Sequence, residues 1–228
     1  MTDEQVPTIA ERLGEVRSGI AESARSVGTD VSSITLVVVT KFHPASLVRE
    51  LHSLVVTDVG ESRHQEASVK SGELGDLDLT WHFVGQLQSK KARQVLAYTR
   101  VIHSVDRSSV LDALSAAAVP VDVFLQVNLT DDPGRGGADP VDVPQLAESI
   151  VAGGFLRLLG VMAVAPLDEE PRAAFARLRL LGDRVREIEP GATSMSAGMT
   201  NDYRDAVLEG ATHLRIGSAI TGLRPVPG

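Results

Sequence analysis

The sequence contains no cysteine, which excludes disulfide bonds, thiolate catalysis and zinc sites built on thiolates. Aromatic residues are also few, at 4% of the 228 positions, and no apolar run approaches the length needed to cross a membrane. The N-terminal segment is acidic and amphipathic, without the basic start and apolar stretch of a secretory signal. We therefore expect a cytoplasmic protein.

Positive charge is in deficit, since 22 Lys and Arg face 30 Asp and Glu and give a formal net charge of -8 at pH 7. This excess of negative charge argues against general affinity for nucleic acid or for acidic membrane surfaces, but small ligands are not excluded. A chain of this length can bury roughly 70% of its unfolded surface, enough for one sizeable core. Because no interdomain linker is visible, we expect a single domain over residues 1–228.

A lysine, Lys41, closes a hydrophobic run over residues 34–39 that is rich in β-branched residues and predicts a buried strand. Side chains alternate along a strand, so Val37, Val39 and Lys41 project to one side. An amine held at the end of a buried strand loses solvation, which lowers its pKa and makes it a potential Schiff-base nucleophile. The alternative is a lysine whose ammonium group reaches the surface.

Short apolar segments alternate with helical patterns along the whole chain. The strand candidates cover residues 34–39, 55–60, 81–85, 101–105, 121–127, 156–164, 193–197 and 213–216. Besides an N-terminal helix with an apolar stripe from Val6 to Val27 and a helix that starts at Pro44, helical patterns cover residues 88–98, 108–118, 143–152, 171–188 and 201–209. This alternation predicts a parallel sheet with helices outside, and eight repeats favour a closed (β/α)8 TIM barrel of the α/β class, with a doubly wound open sheet as the alternative.

The functional site of such a barrel lies at the C-terminal ends of its strands, and the loops after the seventh and eighth strands frequently bind phosphate. Ser196, Gly198 and Thr200 offer hydroxyls and a glycine there, although ordinary helix capping explains them as well. On the eighth strand Arg215 interrupts an apolar run, and a buried arginine needs a ligand acceptor or a structural salt bridge. His82 is interpreted as a hydrogen-bonded core histidine rather than a catalytic base.

Four segments occur in a characteristic order: VVVTK, WHFVGQLQSKKARQV, SAGMTND and HLRIGSAI. Together they resemble the pyridoxal phosphate homeostasis protein family, whose fold is an alanine-racemase-type barrel, and the resemblance covers nearly the whole chain. It implies that Lys41 carries pyridoxal 5′-phosphate (PLP) as a covalent aldimine and that Arg215 lies near the pyridine nitrogen or the phosphate. It also implies a set of phosphate-holding residues: Ser196, Gly198, Thr200, Gly217 and Ser218.

The resemblance further implies intracellular PLP homeostasis rather than turnover, with no catalytic residue and no metal. We expect a monomer, with PLP-dependent apo-enzymes as recipients of the cofactor. One alternative is a PLP-dependent amino-acid racemase or related enzyme with a relaxed site, although alanine racemases add a second β-domain that we do not expect here. Another is an aldolase that uses Lys41 on a sugar phosphate. The chain departs from the family at Ser62, where asparagine is usual, and at Arg135, where a lysine is often found.

Overall fold

The computed structural model describes residues 6–115, 117, 119–132 and 134–223. Within them, eight parallel strands form a closed barrel in which each strand pairs with the next and β8 returns to β1. The strands are β1 (Thr35–Val39), β2 (Asp58–Glu61), β3 (Thr80–Phe83), β4 (Val101–Val105), β5 (Val121–Gln126), β6 (Leu156–Met162), β7 (Ser194–Ser196) and β8 (His213–Ile216). Closure confirms the predicted (β/α)8 barrel over the open sheet. The expectation of a single domain over residues 1–228 stays a prediction.

Helices cover the outside of the barrel, and each connection between consecutive strands contains one. They are α1 (Ile9–Ser26), α2 (Ala45–Ser53), α3 (His64–Glu73), α4 (Ala92–Leu96), α5 (Ser108–Leu114), α6 (Val143–Gly153), α7 (Pro171–Ile188), α8 (Tyr203–Leu208) and α9 (Ser218–Thr221). The helix that begins the chain, α1, confirms the extra N-terminal helix, and a capping box between Thr8 and Glu11 fixes its start. Only the middle of its predicted stripe is buried, because Val6 and Val27 are exposed.

The main apolar core lies between the barrel and its helices. On β3, Trp81 and Phe83 join this outer core, while His82 between them faces the barrel interior. The interior holds a much smaller apolar cluster, made of Val101, Phe124 and Met162. Polar side chains therefore occupy much of the space that aliphatic layers commonly fill in this fold.

No helix within the described ranges combines the length and the apolar character that crossing a membrane requires.

Candidate functional site

Three neighbouring strands bring most of the predicted site residues to one sector of the barrel rim. Lys41 lies two residues beyond the end of β1, Thr200 lies in the loop after β7, and Ser218 begins α9 directly after β8. Because β7, β8 and β1 are adjacent and parallel, these ends share one rim. The hydroxyls of Thr200 and Ser218 lie 3.3 Å apart, and the Ala219 N–H donates to Thr200 Oγ1 at 3.3 Å. The structure thus brings together the two loops that the sequence assigned to phosphate.

Lys41 is half-buried at this rim. Among the described residues, no side chain or backbone group forms a hydrogen bond or ion pair with its ammonium group. The backbone on either side is held firmly. Before it, Thr40 Oγ1 donates to Glu61 Oε1 at 2.7 Å, and after it the Phe42 N–H donates to Glu66 Oε2 at 2.9 Å. The amine is therefore carried on a fixed segment while its own nitrogen is available to a ligand.

A buried ion pair between Lys70 of α3 and Glu61 of β2 supports that segment. Lys70 Nζ donates to Glu61 Oε1 at 2.6 Å and to the Thr40 carbonyl at 2.8 Å. Burial raises the pKa of Glu61, and the hydrogen bonds from Lys70 and Thr40 oppose that rise. Sequence reasoning missed Lys70, because α3 has no apolar stripe and buries only Ala67 and Lys70.

The guanidinium group of Arg215 lies at the rim end of the barrel interior. Its Nη2 donates to the Ala163 carbonyl at 2.9 Å and its Nη1 to Ser196 Oγ at 2.5 Å. Ala163 directly follows β6 and Ser196 ends β7, so both acceptors mark the C-terminal ends of their strands. Burial lowers the pKa of Arg215 to about 10, and the charge of Asp202 opposes this, so the side chain is cationic at neutral pH.

The salt bridge considered for Arg215 is not what the structure shows: across the described part of the chain, none of the ion pairs includes this arginine. A buried cation without a paired carboxylate favours an electron-rich ligand at the rim.

Ser196 lies deeper than the other residues predicted to hold phosphate. Its side chain is fully buried, and its hydroxyl is shared between Arg215 Nη1 and His103 Nδ1, at 2.5 and 2.8 Å. The structure therefore places Ser196 inside the barrel, whereas Gly198 and Thr200 follow it in the loop. Its contact with phosphate stays a prediction.

Gly198 and Gly217 stand in the site for different structural reasons. Gly198 has φ +89°, and a Cβ there would lie 2.7 Å from Ala206 Cβ and 2.9 Å from Tyr203 Cα, so a side chain would push α8 away from the loop. Its carbonyl also accepts a hydrogen bond from the Arg215 N–H at 2.9 Å. At Gly217 a Cβ would lie 3.4 Å from the Val39 carbonyl oxygen, which shows how closely the loop after β8 approaches the end of β1.

A cavity of about 230 Å³ opens beside this sector, between the loops that follow β2 and β3. Ser62 lines it together with Gln86 and Lys91 from the WHFVGQLQSKKARQV segment. Arg135, from the loop after β5, donates from Nη2 to the Ala165 carbonyl at 3.1 Å. Within the described residues, no group of three His, Asp or Glu side chains is arranged to hold a metal ion.

The donor set at the rim fits a small anionic ligand that also carries a carbonyl group. The ammonium group of Lys41 has no partner in the described chain, Arg215 is a buried cation, and the hydroxyls of Thr200 and Ser218 lie side by side. Cations and hydroxyls bind phosphate oxygens, and a primary amine reacts with an aldehyde. A phosphorylated aldehyde therefore matches the chemistry of these residues.

Comparison with known proteins gives four concordant similarities, the last of them in fold alone. The alanine racemase, N-terminal domain family matches residues 17–225. The pyridoxal phosphate homeostasis protein of Pseudomonas aeruginosa is 41% identical over 224 residues, which cover 95% of this chain and 96% of that protein. PipY of Synechococcus elongatus PCC7942, solved with PLP bound, is 35% identical with a TM-score of 0.83 over 94% of this chain and 100% of PipY. Alanine racemase from Corynebacterium glutamicum, at 13% identity and a TM-score of 0.70 over 92% of this chain and 62% of its own, shares the fold.

Proposed function

Because the chain belongs to the pyridoxal phosphate homeostasis protein family, with a barrel of the alanine racemase N-terminal type, we propose that it binds PLP covalently through Lys41 and acts in intracellular PLP homeostasis. One observation carries the proposal: the half-buried amine of Lys41 shares a rim sector with the joined loops of Thr200 and Ser218. When bound, PLP supplies an aldehyde that reacts with a primary amine and a ring that withdraws electrons.

Different residues of the sector would bind different parts of the cofactor. The Thr200 and Ser218 hydroxyls and the backbone of Gly198 and Gly217 would bind the phosphate, because the glycines let main-chain groups approach a ligand closely. Ser196 remains in this set through Arg215, the cation that its hydroxyl holds at the rim.

Arg215 has five N–H donors, and two of its nitrogens already bond to Ala163 and Ser196. Its remaining donors would serve the pyridine nitrogen or the phosphate. The positive charge of Arg215 also favours an anionic ligand at the rim.

Homeostasis requires that the cofactor be held and released. We propose that the protein is a cytoplasmic monomer that delivers PLP to apo-enzymes, and that it has no catalytic turnover of its own. Reversible linkage to one lysine supports this, since a Schiff base forms and hydrolyses without any other reactant than water.

The visible spectrum of the purified protein tests the binding proposal. After incubation with PLP, the protein should show an absorbance band that borohydride abolishes and fixes as a stable adduct on Lys41. Lys41→Ala should lose the band and keep its fold, because the substitution removes a partly solvated amine rather than core volume. Lys90→Ala, a lysine variant in the 3-10 turn over Ser89–Lys91, is the matched control and should keep the band. A colourless wild-type protein that PLP cannot reconstitute would overturn the proposal.

Exchange of the α-proton of amino acids in deuterated water separates homeostasis from racemisation. Racemisation needs an acid and a base correctly placed on both faces of the substrate, in addition to the lysine. We expect the PLP-loaded protein to exchange α-protons no faster than free PLP does. Rapid exchange that disappears in Lys41→Ala would make the protein an enzyme.

A further inference from the structure

Four buried or half-buried side chains form a continuous series of hydrogen bonds through the barrel interior, ending on Arg215. His82 Nε2 lies 2.9 Å from Asp58 Oδ1, and His82 Nδ1 lies 2.9 Å from His103 Nε2. His103 Nδ1 lies 2.8 Å from Ser196 Oγ, which accepts from Arg215 Nη1. We call Asp58, His82, His103 and Ser196 the interior network.

The ends of the interior network fix the direction of every hydrogen bond in it. An ionised carboxylate only accepts, so His82 donates from Nε2 to Asp58, and a ring with a single proton then accepts at Nδ1. His103 then donates from Nε2 and accepts at Nδ1, which leaves the single hydroxyl proton of Ser196 directed at His103. The lone pairs of Ser196 Oγ are thereby turned to Arg215, whose guanidinium group only donates.

Electrostatics agrees with this direction. Burial raises the pKa of Asp58, but hydrogen bonds from His82 and Thr57 outweigh it and leave that pKa below its ordinary value, so the carboxylate is ionised at neutral pH. Burial, with the nearby positive charges, lowers the pKa of His103 well below its ordinary value, so this ring is neutral. One negative end and one positive end are therefore joined through the neutral ring of His103.

The interior network also spans the depth of the barrel. Asp58 is the first residue of β2, at the N-terminal end, and its side chain is 26% exposed. His82 and His103 are almost completely buried, and His103 stacks on Phe124 with ring centroids 4.6 Å apart. Ser196 is the last residue of β7, at the rim. A carboxylate on the far face of the barrel is thus connected to the cation beside the proposed cofactor site.

We propose that Asp58, His82 and His103 are positioning residues that act through Ser196 to hold the guanidinium group of Arg215 in place for the ligand at the rim. The inference rests on the proposed function, because it takes that ligand to be PLP. In a site where a buried cation has no paired carboxylate, the oriented Ser196 hydroxyl and the Ala163 carbonyl are the acceptors that hold it. Reversing the His103 tautomer would make Ser196 Oγ accept from both His103 and Arg215 and would leave the serine proton without its acceptor, so the hydroxyl would no longer be oriented by the ring.

The first test needs no cofactor. Long-range ¹H–¹⁵N spectra of the ligand-free wild-type protein report which imidazole nitrogen carries the proton. We expect each ring to donate from Nε2 and to accept at Nδ1, assigned by the loss of each signal in His82→Gln and His103→Gln. A proton on Nδ1 of either ring would overturn the interior network as described.

The second test asks whether Asp58 acts through Arg215. Asp58→Asn removes the charge at the far end, and the PLP dissociation constant should rise about fivefold, since hydrogen bonds to ionised groups are stronger than those to neutral ones. In an Arg215→Ala background the same substitution should change the constant by less than about twofold, because the residue through which it acts is gone. Asp122→Asn is the matched control: Asp122 lies near the start of β5 with 22% of its side chain exposed, and pairs with Arg157 instead.

The outcomes are distinct. An equal loss of affinity from Asp58→Asn in both backgrounds, or no loss in the wild-type background, would overturn the positioning role. Should Asp58→Asn fail to fold, Asp58→Glu takes its place. Because it keeps the carboxylate, its PLP dissociation constant should rise by less than the roughly fivefold change expected for Asp58→Asn. The tautomers of the wild-type protein test the inference whether or not the variants fold. Failure of the wild-type protein to bind PLP would overturn the proposed function and leave the tautomer test intact.

Discussion

Thr40 Oγ1 and Lys70 Nζ both donate to the same atom, Glu61 Oε1, over 2.7 and 2.6 Å. Thr40 directly precedes Lys41 in the chain. The acceptor is fully buried and so is nearly all of Lys70. The three residues come from the end of β1, the end of β2 and α3. The backbone that carries Lys41 is therefore fixed by a buried ion pair.

Breaking this ion pair should destabilise the fold strongly. Lys70→Met leaves the Glu61 carboxylate buried without its cation, and we expect a loss of about 3 kcal/mol in the free energy of unfolding, measured by urea denaturation. Arg49→Met, which breaks an exposed pair with Asp76, is the control and should leave the midpoint nearly unchanged. Equal midpoints for the two variants would contradict a structural role for the buried pair.

Gly198 should tolerate alanine poorly. The substitution forces a Cβ into a left-handed backbone conformation and against Ala206, so we expect a loss of about 2–4 kcal/mol by thermal or chemical denaturation. Gly28→Ala is the matched control, since Gly28 has φ +68° but no atom within 4 Å of its Cβ position. The smaller loss of unfolding free energy expected for Gly28→Ala reports the cost of a left-handed backbone alone. The difference between the two variants then measures the clash with α8.

Arg215→Lys should weaken PLP retention although the charge is kept. A lysine has no planar fork with which to reach Ser196 and Ala163 together, and we expect the PLP dissociation constant to rise at least about tenfold, measured by transfer to an apo-enzyme. Arg157→Lys, on the exposed start of β6, provides the comparison and should retain PLP as the wild type does. Unchanged retention in Arg215→Lys would show that only the charge matters.

Stability should fall as the pH drops below about 6.5. Burial lowers the pKa of His213 to about 4, so the unfolded chain takes up a proton between pH 6.5 and 4 that the folded protein does not bind. Protons bound to the unfolded state favour unfolding on acidification. Between pH 7 and pH 5, wild type should lose about 1–2 kcal/mol more than His213→Gln in urea unfolding. Parallel losses in both proteins would rule out His213 as the cause.

Much of the fold follows from local pattern. The bounds of β4, β8 and α7 are those predicted, because their apolar runs or stripes end at clear turn residues. The helix predicted over residues 88–98 is instead a 3-10 turn over Ser89–Lys91 followed by α4. The sequence pattern predicts no helix between β2 and β3, because α3 lacks the periodic apolar stripe on which such predictions depend.

The candidate site also has a part that the sequence predicts and a part that it does not. Residues at the rim could be found because each follows a strand within a short, recognisable segment. The interpretation of His82 as a hydrogen-bonded core histidine is confirmed. Its partners could not be found, because His103 and Ser196 are 93 positions apart on strands that do not pair. Only the closed barrel brings such residues into contact.

The hydrogen bond from the Arg215 N–H to the Gly198 carbonyl joins the main chains of two residues that we propose to hold the ligand. A displacement of the loop after β7 is thus transmitted mechanically to the strand that carries the guanidinium group. Substitutions at the two positions should consequently have non-additive effects on ligand affinity. For the same reason, a ligand bound at the rim should hold β7 and β8 together and raise the melting temperature of the protein.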